Sequence, residues 1–352
     1  MSEQLHRREM KLVWCCLAFC SRTLIVLVAL HSTSFAEVSL ERLRSRVESA
    51  IPPSQGVVGV SIKHMESGIV VAVHGDEPFP MASTFKLPLL VELYAKEKEG
   101  AFKWDDLVEI SSTDQHLGSS GLTAVYDTPG VILSIRNLAN LMIIASDNSA
   151  ADICLSKVGG PSKVTAGMRK IGIHGIRIDR SCQELILDYG GRDTARLKEL
   201  ARDDLQEFLR NNPRPETEEA RFAEDDRLAA DPADSATPDA MVALLERIWQ
   251  GRAVDPAASD AMMKTLNRCR TGANRIRGLL PPSTDVAHKT GTLGGVVNDV
   301  GIITLPDNAG HVAIAVMSKR TRAPREQVER VIADIARYAY DYFTFTAKRE
   351  TR

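Results

Sequence analysis

Three short groups of residues carry side chains suited to nucleophilic catalysis. The first is STFK, Ser83–Lys86, set before the apolar run LPLL. If a helix opens at Ser83, the Lys86 amine stands one turn along on the same face. A serine hydroxyl is a weak nucleophile, and a neutral amine at that spacing can take its proton. The helix start would also supply free N–H groups and a positive dipole end for a developing oxyanion. The second group is SDN, Ser146–Asn148, after the helical run IRNLANLMIIA. Its hydroxyl suits proton relay and its amide suits gripping a carbonyl, although alone it reads as a turn or helix cap. The third is KTGT, Lys289–Thr292, followed by Gly294 and Gly295. A lysine and hydroxyls there can hold an anionic group, and Gly291 admits a second backbone close by.

The elements that must position these groups follow from periodicity. SLERLRSRVESAI, residues 39–51, has helical spacing behind a serine cap. VVGVSIKHM and GIVVAVHG read as a β-hairpin, and residues from about Pro80 to Arg277 read as mostly helical. Strands return with VAHKTGTL, VVNDVGIITL and HVAIAVMS, and EQVERVIADIARYAYDYF is an amphipathic helix. The expected class is α+β: an antiparallel sheet from both ends of the chain (37–79 and 280–345), flanking helices, and an all-helical lobe (80–279) inserted between them. The site is expected in the cleft between lobes. Residues 187–234 are densely charged, with 14 acidic and 8 basic side chains. They read as a solvated helical insertion in which TARLKELARDDLQEFLRNN is one helix.

The three motifs in this order resemble the S-x-x-K, S-D-N, K-T-G set of class A β-lactamases and penicillin-binding proteins. The likeness extends from about Glu37 to Phe345 and includes RIDR, SATPDAM and TGANRIRGLLP. RIDR and the TP-x-AM element point to class A rather than to carboxypeptidases. The resemblance implies a β-lactamase/DD-peptidase-like fold and an acyl-enzyme on Ser83, which Lys86 helps to activate. It implies Ser146 passing a proton to the ring nitrogen and Asn148 holding the substrate's side-chain amide. It implies an oxyanion hole from the Ser83 and Thr292 N–H groups, with Lys289, Thr290 and Thr292 facing the substrate carboxylate. Arg275 falls where some members carry an arginine for that carboxylate, whereas Arg277 is expected in a structural ion pair. The expected partner is a small β-lactam, with no cofactor and no metal.

One step of the implied mechanism lacks its residue. Class A enzymes activate the deacylating water with a glutamate two positions after the RxDR element. Here Cys182 occupies that place, and Ile186 occupies the place of the asparagine that helps hold the water. Cys182 is a poor base, because an unperturbed thiol titrates near roughly 8.5. It reads as a small buried residue. Three outcomes stay open: Glu184 or the insertion supplies the base; Lys86 or another group deacylates slowly; or deacylation fails, and the chain is a penicillin-binding sensor. A D-Ala-D-Ala peptidase or another serine hydrolase is the remaining alternative. The aspartate that pairs with the loop arginine is expected to be Asp234, so Arg180 and Asp234 would close a loop containing the insertion, 187–233.

Bulk composition removes other classes. The chain has 352 residues, 44% hydrophobic and 26% charged, with a net charge of −2. Nothing there favours nucleic acid or an anionic membrane. Arg7, Arg8 and Lys11 precede the apolar runs LVWCCLAFC and LIVLVAL, and Ser34 and Ala36 suit a cleavage site. Residues 1–36 therefore read as a signal peptide, with Met10 an alternative start, and the protein as exported to the periplasm or medium. Ser21, Arg22 and Thr23 interrupt the apolar stretch, which argues against a membrane anchor. Phe19 before Cys20 argues against a lipoprotein. Removing that segment leaves Cys154, Cys182 and Cys269, too widely spaced for a zinc site or a disulfide framework. A monomer is expected.

Overall fold

The computed structural model describes residues 40–52, 56–119, 121–122, 124, 130–215 and 217–350. The segment expected to be a signal peptide lies outside them. The chain divides into two units, Met1–Arg46 and Val47–Arg352. Of the first, only helical residues are described, the start of α1 (40–49). Everything below concerns the second.

Its centre is a five-stranded antiparallel sheet ordered β2 (Val70–Val73), β1 (Val57–His64), β10 (His311–Lys319), β9 (Val296–Thr304) and β8 (Val286–Leu293). The strands are rich in β-branched residues, which fit a pleated surface buried on both sides. Ala313, Ala315 and Met317 of β10 enter one core with Met241, Leu244 and Leu245 of α10 (Pro238–Trp249). The alternate residues Val312, Ile314 and Val316 are equally buried. The helix α12 (Arg325–Glu350) packs against β9 and β10 and buries Val328, Ile332, Ile335, Ala339 and Phe343 at helical spacing. Each large apolar side chain so buried is worth about 1.5–3 kcal/mol.

Between β2 and β8 the chain is mainly helical, with α2 (Lys86–Lys98), α3 (Ile135–Ile144), α4 (Asn148–Lys157), α5 (Pro161–Lys170) and α6 (Cys182–Tyr189). The insertion adds α7 (Thr194–Leu197), α8 (Arg202–Asn211) and α9 (Glu218–Ala230); after α10 follows α11 (Pro256–Asn267). Two small sheets staple this region: β3 (Phe79–Pro80), β7 (Ser235–Ala236) and β6 (Ile176–Arg177), and the pair β4 (Leu107–Glu109) with β5 (Ile132–Ser134). Two expectations need correction. The helix α10 falls within the segment assigned to the helical lobe, yet it lies on the sheet. The run 194–212 is two helices, because a break at Lys198–Ala201 lets Leu197, Leu200 and Leu205 gather with Leu187 and Phe208 in a small separate core.

Candidate active site

Ser83 lies in a 3₁₀ turn, Ala82–Phe85, that runs directly into α2. Ser83 therefore precedes the α-helix rather than opening it. Several neighbours hold the turn in place. Thr84 Oγ1 donates to the Met81 carbonyl at 2.7 Å, and Asn298 Nδ2 donates to the Pro80 and Met81 carbonyls at 2.9 and 3.1 Å. Ala82 sits at φ 44°, a left-handed conformation that costs a non-glycine residue about 1–3 kcal/mol. The KTGT strand supports this turn from the side. A Cβ on Gly291 would stand 2.5 Å from the Met81 carbonyl and 3.2 Å from the Ser83 nitrogen, so only glycine allows the approach.

Lys86 is fully buried. Its Nζ donates to the Ser146 carbonyl and to Asn148 Oδ1, both at 2.7 Å, with Ser146 Oγ at 3.4 Å. Burial pulls the Lys86 pKa below the ordinary lysine value, opposed by Cys182, Asp152 and Asp147. Lys289, also fully buried, donates to Ser146 Oγ at 2.9 Å and to the Thr290 carbonyl at 2.7 Å. Burial, then the charge of Lys86, brings Lys289 down to about 7. The Ser146 hydroxyl thus stands between two amines, an arrangement able to pass a proton either way. Ser146 itself is at φ 58°, and Asp147 caps α4 by accepting from the Ala150 nitrogen at 2.8 Å. The SDN motif is therefore both helix cap and site.

These residues border a cleft of about 330 Å³ lined by Ser83, Ser146, Asn148, Thr290, Thr292 and Arg275, among others. Arg275 is 4% exposed and donates to Thr292 Oγ1 at 2.7 Å, to the Gly291 and Asn298 carbonyls at 3.0 and 2.8 Å, and to Glu329 at 3.1 Å. It braces the far end of the KTGT strand and orients the Thr292 hydroxyl. Among the described residues Arg277 has no carboxylate partner, a correction to the expected ion pair. It donates to the Asn267 and Val286 carbonyls and to His288 Nε2.

Cys182 and Ile186 of α6 also line the cleft. Among the described residues lining it, none carries a carboxylate. Burial, then Asp152, pushes the Cys182 thiol well up, so it stands as a neutral S–H group. Asp152 holds this end of α6 by accepting the N–H groups of Cys182 and Gln183 at 2.7 and 3.0 Å, and it pairs with His116 at 2.6 Å. Asp152 belongs to none of the three motifs and was not among the expected site residues. The available signal was its position four residues after Asn148, one turn further on the same face of α4.

Glu184 does not reach the cleft, a correction to the expectation of a displaced catalytic carboxylate. Ser181 is the N-cap of α6, which makes Glu184 the third helical residue of a capping box; its Oε2 accepts the Ser181 N–H at 2.9 Å. Lys198 holds the other oxygen at 2.9 Å. Burial raises the Glu184 pKa, but the Ser181 N–H and Lys198 outweigh it and keep the carboxylate below its usual range. Glu184→Gln keeps a capping acceptor and loses an ion pair of about 0.2–1 kcal/mol. Steady-state turnover should stay within about twofold of wild type and the acyl-enzyme lifetime should not lengthen; a long-lived adduct in intact-mass kinetics would return Glu184 to the mechanism.

The loop closes as expected. Arg180 Nε donates to Asp234 at 2.5 Å and Nη2 to Asp231 at 2.9 Å, and Nη1 reaches Asp188. Asp234 also accepts the Asp179 and Arg180 N–H groups. The insertion is not simply solvated. Asp225 of α9 is buried and accepts from the Gly295 nitrogen at 2.7 Å and from the Tyr189 hydroxyl at 3.0 Å. Leu228 packs with Leu185, Ala82 and Val296. The insertion therefore grips the turn between β8 and β9, just beyond Thr292.

Comparison with known proteins agrees with this arrangement. The beta-lactamase enzyme family matches residues 42–343. The chain is 26% identical over 332 residues to beta-lactamase VEB-1 of Pseudomonas aeruginosa, covering 92% of this chain and 97% of that protein. It is 26% identical over 288 residues to the carbapenem-hydrolyzing beta-lactamase KPC of Klebsiella oxytoca, covering 81% and 84%. A beta-lactamase from Chitinophaga pinensis superposes with a TM-score of 0.68 at 26% identity, covering 85% of this chain and 98% of that one. With the family matched over nearly its whole described length and the antiparallel sheet shared, the chain belongs to the beta-lactamase enzyme family.

Proposed function

We propose that this protein is a serine β-lactamase that works through an acyl-enzyme on Ser83 and deacylates without a carboxylate base. Neutral Lys86 takes the Ser83 proton as the hydroxyl attacks the β-lactam carbonyl. The Ser83 and Thr292 N–H groups hold the oxyanion, and Ser146 delivers a proton to the departing ring nitrogen. Lys289, Thr290 and Thr292 bind the substrate carboxylate, with Arg275 acting through Thr292, and Asn148 holds the side-chain amide. The observation that carries the reading is the pair of buried amines joined through one serine hydroxyl beside the nucleophile turn. Slow release follows from the cleft lining, where a neutral thiol and an isoleucine occupy the wall that would present a water-activating pair. Lys86 then serves as base in both half-reactions. The N-terminal basic-then-apolar layout supports export and cleavage near Ala36, with the protein working in the periplasm or medium.

Intact-mass spectrometry of the mature chain mixed with a penicillin tests this. An adduct of one whole penicillin should form and then decay, with hydrolysis continuing at the rate of decay. An adduct that persists after one equivalent would make the protein a penicillin-binding sensor. Faster turnover of a D-Ala-D-Ala peptide than of any β-lactam would make it a peptidase.

A further inference from the structure

A second cavity, of about 680 Å³, lies at the base of the insertion and, among the described residues, is lined by Arg192, Arg210, Arg214 and Arg221 against one carboxylate, Glu224. We propose that it is an anion-binding extension of the active site, which selects β-lactams whose acyl side chain ends in a carboxylate. This rests on the reading of Ser83 as the acylated nucleophile.

The charge balance is the first argument. The segment 187–234 as a whole has more acidic than basic residues, 14 against 8, yet this cavity collects four guanidinium groups. Glu224 is committed to Arg214, and Glu218 approaches Arg221 only at 3.7 Å. Arg192 donates from Nη2 to the Asn212 carbonyl at 2.7 Å, and its buried Nε has no acceptor. A buried donor without a partner is destabilising, and it leaves part of the Arg192 guanidinium uncompensated. Arg214 titrates below the ordinary arginine value, through burial first and then the charges of Arg192 and Arg227. The cluster is thus electrostatically unbalanced.

Position is the second argument. Ile186 lines both the active cleft and this cavity. Asn148 lines the active cleft, and its Nδ2 donates to the carbonyl of Leu117, which lines the arginine cavity. On this proposal a substituent leaving a side-chain amide held at Asn148 runs past Ile186 and Leu117 toward the arginines. Leu187, Leu209 and Pro213 offer apolar surface for a short methylene stem. An ω-carboxylate at its end meets guanidinium groups, which bind carboxylates with charge-assisted and often bidentate hydrogen bonds.

The test compares two cephalosporins with one nucleus: a glutaryl-amide side chain and its methyl ester, one methyl longer and neutral. Wild type should process the acid with a kcat/KM roughly tenfold above the ester at low ionic strength, and added salt should shrink that ratio. In Arg192→Gln/Arg210→Gln the acid-to-ester ratio should fall to about one. If the double variant unfolds, Arg210→Gln alone, an exposed position, should lower the ratio. Hydrolysis of both compounds at a ratio near one in wild type, unmoved by these variants, overturns the inference and leaves the acyl-enzyme reading intact. Failure of both compounds to react with Ser83 overturns that reading and the inference with it.

Discussion

Ser83→Ala should abolish acylation, lowering the rate of adduct formation by at least about 10⁴-fold, because no bond to the carbonyl carbon can form without the hydroxyl. Other hydroxyls border the cleft, but they are otherwise engaged. Ser146 Oγ lies between two lysine amines, Thr290 Oγ1 is 2.6 Å from Thr271 Oγ1, and Thr292 Oγ1 accepts from Arg275. None sits on the turn that Gly291 and Asn298 hold against the KTGT strand. The substitution removes one oxygen from a half-buried position, so the folded state should persist. Intact mass after prolonged exposure to a penicillin checks the chemistry, and a thermal melt within a few degrees of wild type checks the fold. An adduct on the alanine variant would move the nucleophile elsewhere.

Lys86→Met should lower acylation by roughly 10²–10⁴-fold, the usual contribution of a positioned general base. Any adduct that does form should also last longer, since the same amine is proposed to activate the deacylating water. The cost in stability should be about 1–3 kcal/mol, because Asn148 Oδ1 and the Ser146 carbonyl lose a buried donor. The pH profile separates a catalytic role from a merely structural one. Burial disfavours the charged form of Lys86, so the amine loses its proton at lower pH than an exposed lysine, and kcat/KM should rise with pH as it does so. Lys289 must keep its proton to attract the substrate carboxylate. With its pKa drawn down to about 7 in the free enzyme, kcat/KM should fall as pH passes through that value. Lys86→Met should lose the rising limb and keep a falling one moved to higher pH, because the charge of Lys86 no longer lowers the Lys289 pKa. A variant that retains both limbs would assign the base to another group.

Spacing alone determined much of this protein. Ser83 and Lys86 are three residues apart on a helical run, and the strands carrying Lys289 and the final amphipathic helix follow from periods of two and 3.6, which local backbone geometry dictates. The pairing of Arg180 with Asp234 was also legible, through the loop-neck motif. Other features depended on contacts between residues far apart in the chain. Glu184 is the nearest carboxylate to Cys182 in sequence, yet Ser181 caps the helix and turns that carboxylate back onto its own N–H. The one-helix reading of 194–212 failed because burying Leu197 and Leu205 beside Leu187 stabilises the fold more than the few extra helical hydrogen bonds would. Asn298 and Asp225 read as ordinary strand and helix residues. Only the register of β8 with β9 places Asn298 beneath the nucleophile turn, and only the packing of α9 places Asp225 on Gly295. The arginines of the insertion lie up to 29 positions apart, Arg192 to Arg221, and a sequence cannot show that four like charges share one cavity. Local order is written in neighbouring residues, whereas the site depends on which distant surfaces exclude water together.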